Sequence, residues 1–285
     1  MTRGEITLKL LKSKQTPTYI AAQLRDFIAF LQLGGIPSRG YQERQGFPPT
    51  PQVTDDLDRE KGLWDLVFCS IQDHGLSFHQ NGRTPNPYGP ILMILDPGWL
   101  AGVDDVEVSL LSGGNLRFDR SKHGLPIGRL EELFEDRFPG EASVASRRTL
   151  QARFGADLAI SNPEISALLP EGKIPLEYIN RIQVDPYTIG TANLMDQVQT
   201  AAKRHQLNVA INPRPVPDRS NFAELAEAVR NGCATSTELV NYRWKNSELQ
   251  MWANKLHTSD WAYQAERWAS YLRDGTLNLM AQDFL

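Results

Sequence analysis

The chain has 285 residues, a hydrophobic fraction of 41%, a charged fraction of 22% and a net charge of −4. That length builds an ample core without disulfide or metal staples, and the acidic balance argues against a broadly basic nucleic-acid coat while leaving room for a local basic groove. The two cysteines, Cys69 and Cys233, lie far apart, which excludes a disulfide framework and thiolate zinc spacing and fits a reducing cytoplasm.

In chain order, Glu5 to Leu10 alternates polar and apolar residues and predicts a half-exposed strand. From Ala21 to Leu33 the residues Leu24, Phe27, Ile28 and Leu31 fall at helical spacing, and Gly34-Gly35 is suited to end that helix. Ile36-Pro37-Ser38-Arg39 leaves it extended. Residues 40 to 62 are polar, rich in Pro and Gly and without periodicity, so a long functional loop is expected. Residues 1 to 47 carry seven Lys/Arg against three acids, a solvated face or a place to meet a phosphate backbone. Leu66 to Ile71 predicts a strand, His79 to Pro90 a second polar loop, and Ile91 to Leu95 a central buried strand stopped by Asp96-Pro97-Gly98. Val106 to Leu110 predicts another strand. Gly128 to Phe138 reads as a helix with Leu130, Leu133, Phe134 and Phe138 on one face, and Ser146 to Phe154 as a further helix.

After Pro186 the character changes. Met195 to His205 predicts a helix and Leu207 to Ile211 a strand, followed by the stiff Pro213, Pro215 and Pro217 segment. Helical patterns then run to the end, with Trp244, Trp252, Trp261 and Trp268 suited to packing or to stacking on bases. Short strands, few helices and long loops predict an α+β domain around a mostly antiparallel split sheet with flanking helices, over residues 1–187. Residues 188–285 form a mixed, then mainly helical extension. No apolar signal segment and no run of eighteen apolar residues occurs, so neither a cleaved signal nor a membrane span is expected, and the chain is expected in the cytoplasm.

Familiar nucleotide and hydrolase motifs are absent. The sequence has no Gly-rich phosphate loop ending in Lys-Ser/Thr, no dinucleotide fingerprint, no Gly-x-Ser-x-Gly elbow and no zinc spacing, so no metal is expected. Against that background the stretch Asn162-Pro163-Glu164-Ile165-Ser166-Ala167 stands out. A lone carboxylate follows Asn-Pro and enters an apolar, strand-like run. Read alone, Glu164 fits either a surface position at a strand start or the acid/base residue of a nucleotide-handling site.

Asn162-Pro163-Glu164, with Ile174-Pro175-Leu176-Glu177-Tyr178-Ile179 and Ile182-Gln183-Val184 after it, resembles the catalytic-Glu segment of DarT-type toxins. These are nucleic-acid ADP-ribosyltransferases that use NAD+. Asp58-Arg59 through Val67-Phe68-Cys69-Ser70-Ile71, the loop near Phe78, and Ile91 to Leu100 are similar to the family's middle. Tyr19, Leu24 to Leu31 and Gly34-Gly35-Ile36-Pro37-Ser38-Arg39 are similar to its opening strand, helix and Gly turn. The resemblance spans roughly residues 17 to 187. The family's opening Tyr-His pair is not reproduced, because Tyr19 is followed by Ile20-Ala21-Ala22.

The resemblance implies an ADP-ribosyltransferase fold and transfer of ADP-ribose from NAD+ to a base in single-stranded DNA. It further implies a toxin held by an antitoxin protein, useful against phage. The alternatives are the same transfer onto RNA, or an inactive relative that binds nucleic acid or protein. It implies Glu164 and Arg59 as catalytic residues. Tyr19, Arg59, Phe68, Ser70, Phe78 and His79 are the implied NAD+ contacts. Chemically, a carboxylate near the ribose offsets the charge that grows as nicotinamide leaves, and it accepts the proton released by a base nitrogen.

Overall fold

The computed structural model describes residues 1–50, 55–73, 89–115, 117–138, 141–160, 162–185, 188–189 and 192–214. Phe78, His79, the second polar loop up to residue 88 and the tryptophan-bearing tail lie outside them. The chain opens with helix α1 (Arg3–Ser13), not the expected strand. A capping box decides this: the Glu5 amide donates to Thr2 Oγ1 (3.1 Å) and the Thr2 amide to Glu5 Oε2 (2.8 Å). Gly4, Thr7 and Leu11 are the buried positions, three and four residues apart, so the inward face follows helical spacing. The apparent period of two in Glu5 to Leu10 was a coincidence of partly buried residues.

Strand β1 (Thr18–Ala22) and helix α2 (Leu24–Leu33) follow. The helix starts three residues later than its apolar pattern suggests, because Ala21 and Ala22 are paired to a neighbouring strand. Gly34 closes it in the left-handed region (φ 67°), as its place after the last apolar residue predicts. Strand β2 (Gly35–Pro37) leads to Ser38, which caps the short helix α3 (Arg39–Arg44) by accepting from the Tyr41 amide at 3.1 Å. A second six-residue helix, α4 (Asp55–Glu60), has Asp55, Asp56 and Asp58 in its first turn and Arg59 in its last, which suits the helix dipole. The expected featureless loop over 40–62 therefore contains helix. Six residues are too few to register as periodicity.

The main sheet has seven strands in the order β13-β10-β4-β1-β3-β8-β5. Its members after β1 are β3 (Val67–Ser70), β4 (Ile91–Leu95), β5 (Val106–Ser109), β8 (Glu164–Ala167), β10 (Ile179–Val184) and β13 (Ala210–Pro213). Every adjacent pair is antiparallel except β10 with β13. The strands expected around 66–71, 91–95 and 106–110 all form, and all five residues of β4 are buried, as its continuous apolar run requires. Phe27, Met93, Leu95 and Ile182 are fully enclosed where α2 and the sheet share one core.

Two further pairs flank the sheet: β2 with β9 (Lys173–Pro175), and β6 (Phe134–Phe138) with β7 (Glu141–Val144). The second pair replaces the C-terminal half of the helix expected over 128–138. Residues Ile127–Leu133 form a 3₁₀ turn, and the chain then extends to meet β7. Leu130, Leu133 and Phe134 are buried regardless, so the apolar pattern located the core residues but not their backbone. Helix α5 (Arg120–His123) is one turn, and α6 (Arg147–Phe154) stands where expected, capped by Ser146.

After a small β11 (Thr188–Ile189) and β12 (Ala192–Asn193) hairpin, α7 (Leu194–Arg204) begins on an Asn193 cap. It buries Leu194, Val198, Ala201 and Ala202 and packs against α2 and β10. Strand β13 lies three residues later than expected and includes Pro213, at home on a sheet edge. The described body thus runs past residue 187 to Arg214. Among the described residues no helix is long and apolar enough to cross a membrane.

Candidate active site

The sheet is weakest between β1 and β3. Strand β1 meets β4 over five register pairs, Thr18↔Leu95 to Ala22↔Ile91, but meets β3 only at Tyr19↔Ser70. Beyond that pair the two halves diverge, and a cleft of about 250 Å³ opens along the split. Register then aligns a polar row across it: Tyr19 opposes Ser70, Ser70 opposes Glu164, and Glu164 opposes Ser109. Glu164 is the first residue of β8, so strand alternation turns Ile165 and Ala167 into the core and Glu164 toward the cleft.

Glu164 is only 8% exposed. Its Oε2 accepts from the Gly113 amide at 2.9 Å. Burial pushes its pKa up to about 7, partly offset by the Gly113 amide and the Ser112 hydroxyl and reinforced by the negative charge of Asp58. A carboxyl poised near neutrality can hold or release a proton under physiological conditions, as acid/base chemistry needs.

The turn that supplies the amide is itself held. Lys61 Nζ donates to the Phe118 carbonyl at 2.9 Å and sits over the Phe118 ring, while the Asn115 amide closes the turn onto the Ser112 carbonyl. Gly113 has no room for a side chain, since a Cβ there would come within 2.9 Å of Phe68 Cε1. Before β8, Gln72 Nε2 donates to Asn162 Oδ1 at 3.4 Å, tying the Asn-Pro entry to the end of β3.

Of the expected NAD+ contacts, Tyr19, Phe68 and Ser70 all line this cleft together with Glu164. The Tyr19 phenol is raised above its ordinary pKa by burial and by Asp73, against the opposing charge of Arg181. Arg59 is elsewhere. Its Nη2 holds both Glu43 carboxylate oxygens at 2.9 and 3.0 Å, and its guanidinium stacks 3.7 Å from the Trp64 ring centre. Trp64 turns its other polar contact to the same carboxylate, with Nε1 3.0 Å from Glu43 Oε2. The cleft is lined instead by the neighbour Asp58, by Trp64 and by Arg39.

Arg39 donates through Nη2 to the Thr50 carbonyl and to Asp55, each at 2.7 Å, and its buried Nε has no partner among the described residues. Among the described residues it is the one Lys or Arg on the cleft lining. Of the four carboxylates on the lining, Asp26 is occupied by Gln42 Nε2 and the Thr50 amide, both at 3.0 Å, and Asp73 is paired with Arg214. The lining thus combines apolar walls from Phe68 and Leu66 with one guanidinium and the four carboxylates, among them Glu164 with its pKa raised toward neutrality. Among the described residues no group of three His, Cys, Asp or Glu side chains is arranged to hold a metal ion. Cys69 points into the core from the opposite face of β3, where burial raises its thiol pKa and keeps it inert.

Sequence reasoning did not single out Arg39, Trp64, Asp73 or the Ser112-Gly113 turn for the site. Two signals were available: Arg39 belongs to the basic stretch over residues 1 to 47, and the Gly113-Gly114 pair comes shortly after a strand, a usual mark of close backbone approach.

No protein-family model matches the chain, and no curated protein sequence matches it. Three solved structures of DarT from Thermus sp. 2.9 are similar to it. The complex with ADP-ribosylated single-stranded DNA is 13% identical, with 70% of this chain and 94% of that one covered and a TM-score of 0.42. The carba-NAD+ complex is 15% identical (70% and 95% covered, TM-score 0.41), and the NAD+ complex 14% identical (70% and 95%, TM-score 0.39).

Proposed function

We propose that the protein is an NAD+-dependent ADP-ribosyltransferase whose acceptor is a base in single-stranded DNA. One observation carries the reading: Glu164, buried on the polar row at the split of the sheet, with its pKa raised to about 7. It is the same residue that heads the segment resembling the catalytic strand of DarT-type toxins. In this reading the ionised Glu164 faces the ribose, offsets positive charge as the bond to nicotinamide breaks, and accepts the proton released from the attacking base nitrogen. The Gly113 amide keeps the carboxylate aimed. Phe68 and Tyr19 form the ring-binding walls, Ser70 supplies a hydroxyl beside Glu164, and Arg39 meets the pyrophosphate, the forked guanidinium being suited to phosphate oxygens. Arg59 acts from behind Trp64, whose ring it covers. An unstacked base reaches the carboxylate more readily than a paired one, which favours a single-stranded acceptor. A cytoplasmic toxin of this kind requires restraint, so an antitoxin protein is the expected partner.

Incubation with labelled NAD+ and single-stranded DNA, duplex DNA or RNA, beside Glu164→Gln, tests the reading. Label on single-stranded DNA that the variant abolishes is expected. Label on RNA alone transfers the proposal to an RNA acceptor. Neither label nor nicotinamide release from the native protein would mean an inactive binding relative and would sink the enzymatic reading.

A further inference from the structure

We propose that Arg214 is a positioning residue for the cleft: it holds the Asp73 carboxylate on the cleft wall and so makes the chain beyond residue 187 part of the site. Arg214 directly follows β13, and its side chain is completely enclosed. Nη2 bonds Asp73 Oδ1 at close range, and Nη1 lies 3.3 Å from Asp185 Oδ1. The backbone is fastened as well. The Arg214 amide donates to the Val184 carbonyl, and the Asp185 amide to the Pro90 carbonyl, each at 2.8 Å. The guanidinium therefore ties together the ends of β3, β10 and β13, and the Asp185 amide joins them to the entry of β4.

A fully buried cation is costly unless it is paired, and a planar fork reaches two carboxylates through Nη1 and Nη2 where an ammonium does not, while its buried Nε has no partner among the described residues. Asp73 is the partner that matters for the cleft. It stands three residues beyond Ser70, lines the same wall as Tyr19 and Gln72, and its charge is felt at the Tyr19 phenol. Held there, it fixes the negative charge of that wall beside Tyr19. Asp185 belongs to the support and does not line the cleft.

The test uses the full chain as Arg214→Lys, Asp73→Asn, the Arg214→Lys/Asp73→Asn pair, and Asp185→Asn. Its first readout, NAD+ affinity by calorimetry, rests on the function proposed above. The second, titration of the Tyr19 phenol by NMR without ligand, does not. Arg214→Lys and Asp73→Asn are each expected to weaken NAD+ binding about tenfold, as loss of one charged hydrogen bond does, and the pair no further. Both lower the Tyr19 pKa, and Asp185→Asn does so less. Losses that multiply in the pair, or unchanged affinity in Arg214→Lys, would overturn the proposal. If the native protein binds no NAD+, the function fails and the Tyr19 titration decides alone: an unchanged value in Arg214→Lys overturns the positioning role. If Arg214→Lys does not fold, Arg214→Met/Asp185→Asn removes the clamp together with one carboxylate and leaves Asp73 in place. It must then bind NAD+ as weakly as Asp73→Asn, and native affinity with a native Tyr19 titration would refute the role.

Discussion

The two halves of the main sheet are built to different rules. In the half β13-β10-β4-β1, β4 is buried along its whole length and joined to each neighbour by five register pairs. Ile91, Met93, Leu95, Ile182 and Val184 share one face of it, and Leu92 and Ile94 are buried on the other. In the half β3-β8-β5, one face is apolar (Val67, Ile165, Ala167, Val108) and the other holds Ser70, Glu164 and Ser109. Those polar groups are satisfied locally: Ser109 Oγ donates to the Leu111 carbonyl at 2.9 Å, and Glu164 accepts from Gly113. A central strand buried on both faces provides rigidity, and this half meets the cleft only along its β1 edge and at Leu92. A half with one polar face beside a gap can keep a carboxyl buried yet reachable. The single Tyr19↔Ser70 pair between them is where scaffold gives way to site.

Substitutions on each side should therefore separate stability from activity. The largest effect is on chemistry: Glu164→Gln should cut transfer by about 10²–10⁴-fold, the usual worth of a general base, with the fold retained. Activity of the native protein should rise as pH passes about 7 and Glu164 loses its proton, and a rate profile flat from pH 5 to 9 would contradict that role. Across the split, Met93→Ala should cost about 2–5 kcal/mol of unfolding free energy in a denaturant titration, through lost burial and a cavity.

Glu164 also makes a stability prediction of definite sign. Its folded pKa lies above its unfolded value, so below about 4.5 both states are protonated and the residue has no pH effect. Between about 4.5 and 7 the unfolded chain ionises first, and stability falls as pH rises, by about 3 kcal/mol in total before levelling off. Glu164→Gln should remove this loss, so it is more stable than the native protein at pH 8 relative to pH 4. Thermal melts at the two pH values measure it.

Gly113→Ala should act more gently. Its Cβ would press on Phe68, shift the amide from Glu164 Oε2 and remove a cause that lowers the pKa, so the activity profile moves to higher pH. The smallest effect belongs to Arg59→Ala. Its partner Glu43 is solvent-exposed, so NAD+ affinity should fall less than in Arg39→Ala, as a binding isotherm for each variant will show. Equal losses would place Arg59 in the cleft during binding.

Much was readable without coordinates wherever burial writes itself into local pattern. The apolar run Ile91 to Leu95, the helix closed by Gly34 and the helix ending at Phe154 needed only chain geometry and side-chain chemistry. Glu164 was legible because its segment is continuous in sequence. The failures have two causes. The strand expected over 5–10 lost to a capping box between Thr2 and Glu5, a local signal set aside for an apparent period of two, and the helix expected over 128–138 lost to pairing with β7, a partner that local periodicity does not register. Arg39 and Asp58 look like ordinary charged residues until α3 and α4 carry them to the same cleft.

By itself, then, the sequence determined the α+β class, the central strands, most of the core and the one carboxylate worth testing. The first three follow from the spacing of apolar residues and from short-range motifs, and the carboxylate from the resemblance of its segment to a known catalytic strand. Only the tertiary structure decided which residues stand beside that carboxylate and how its proton is held. Registers across the split, the Gly113 amide and the Arg214 clamp join positions dozens of residues apart, and folding alone makes them neighbours.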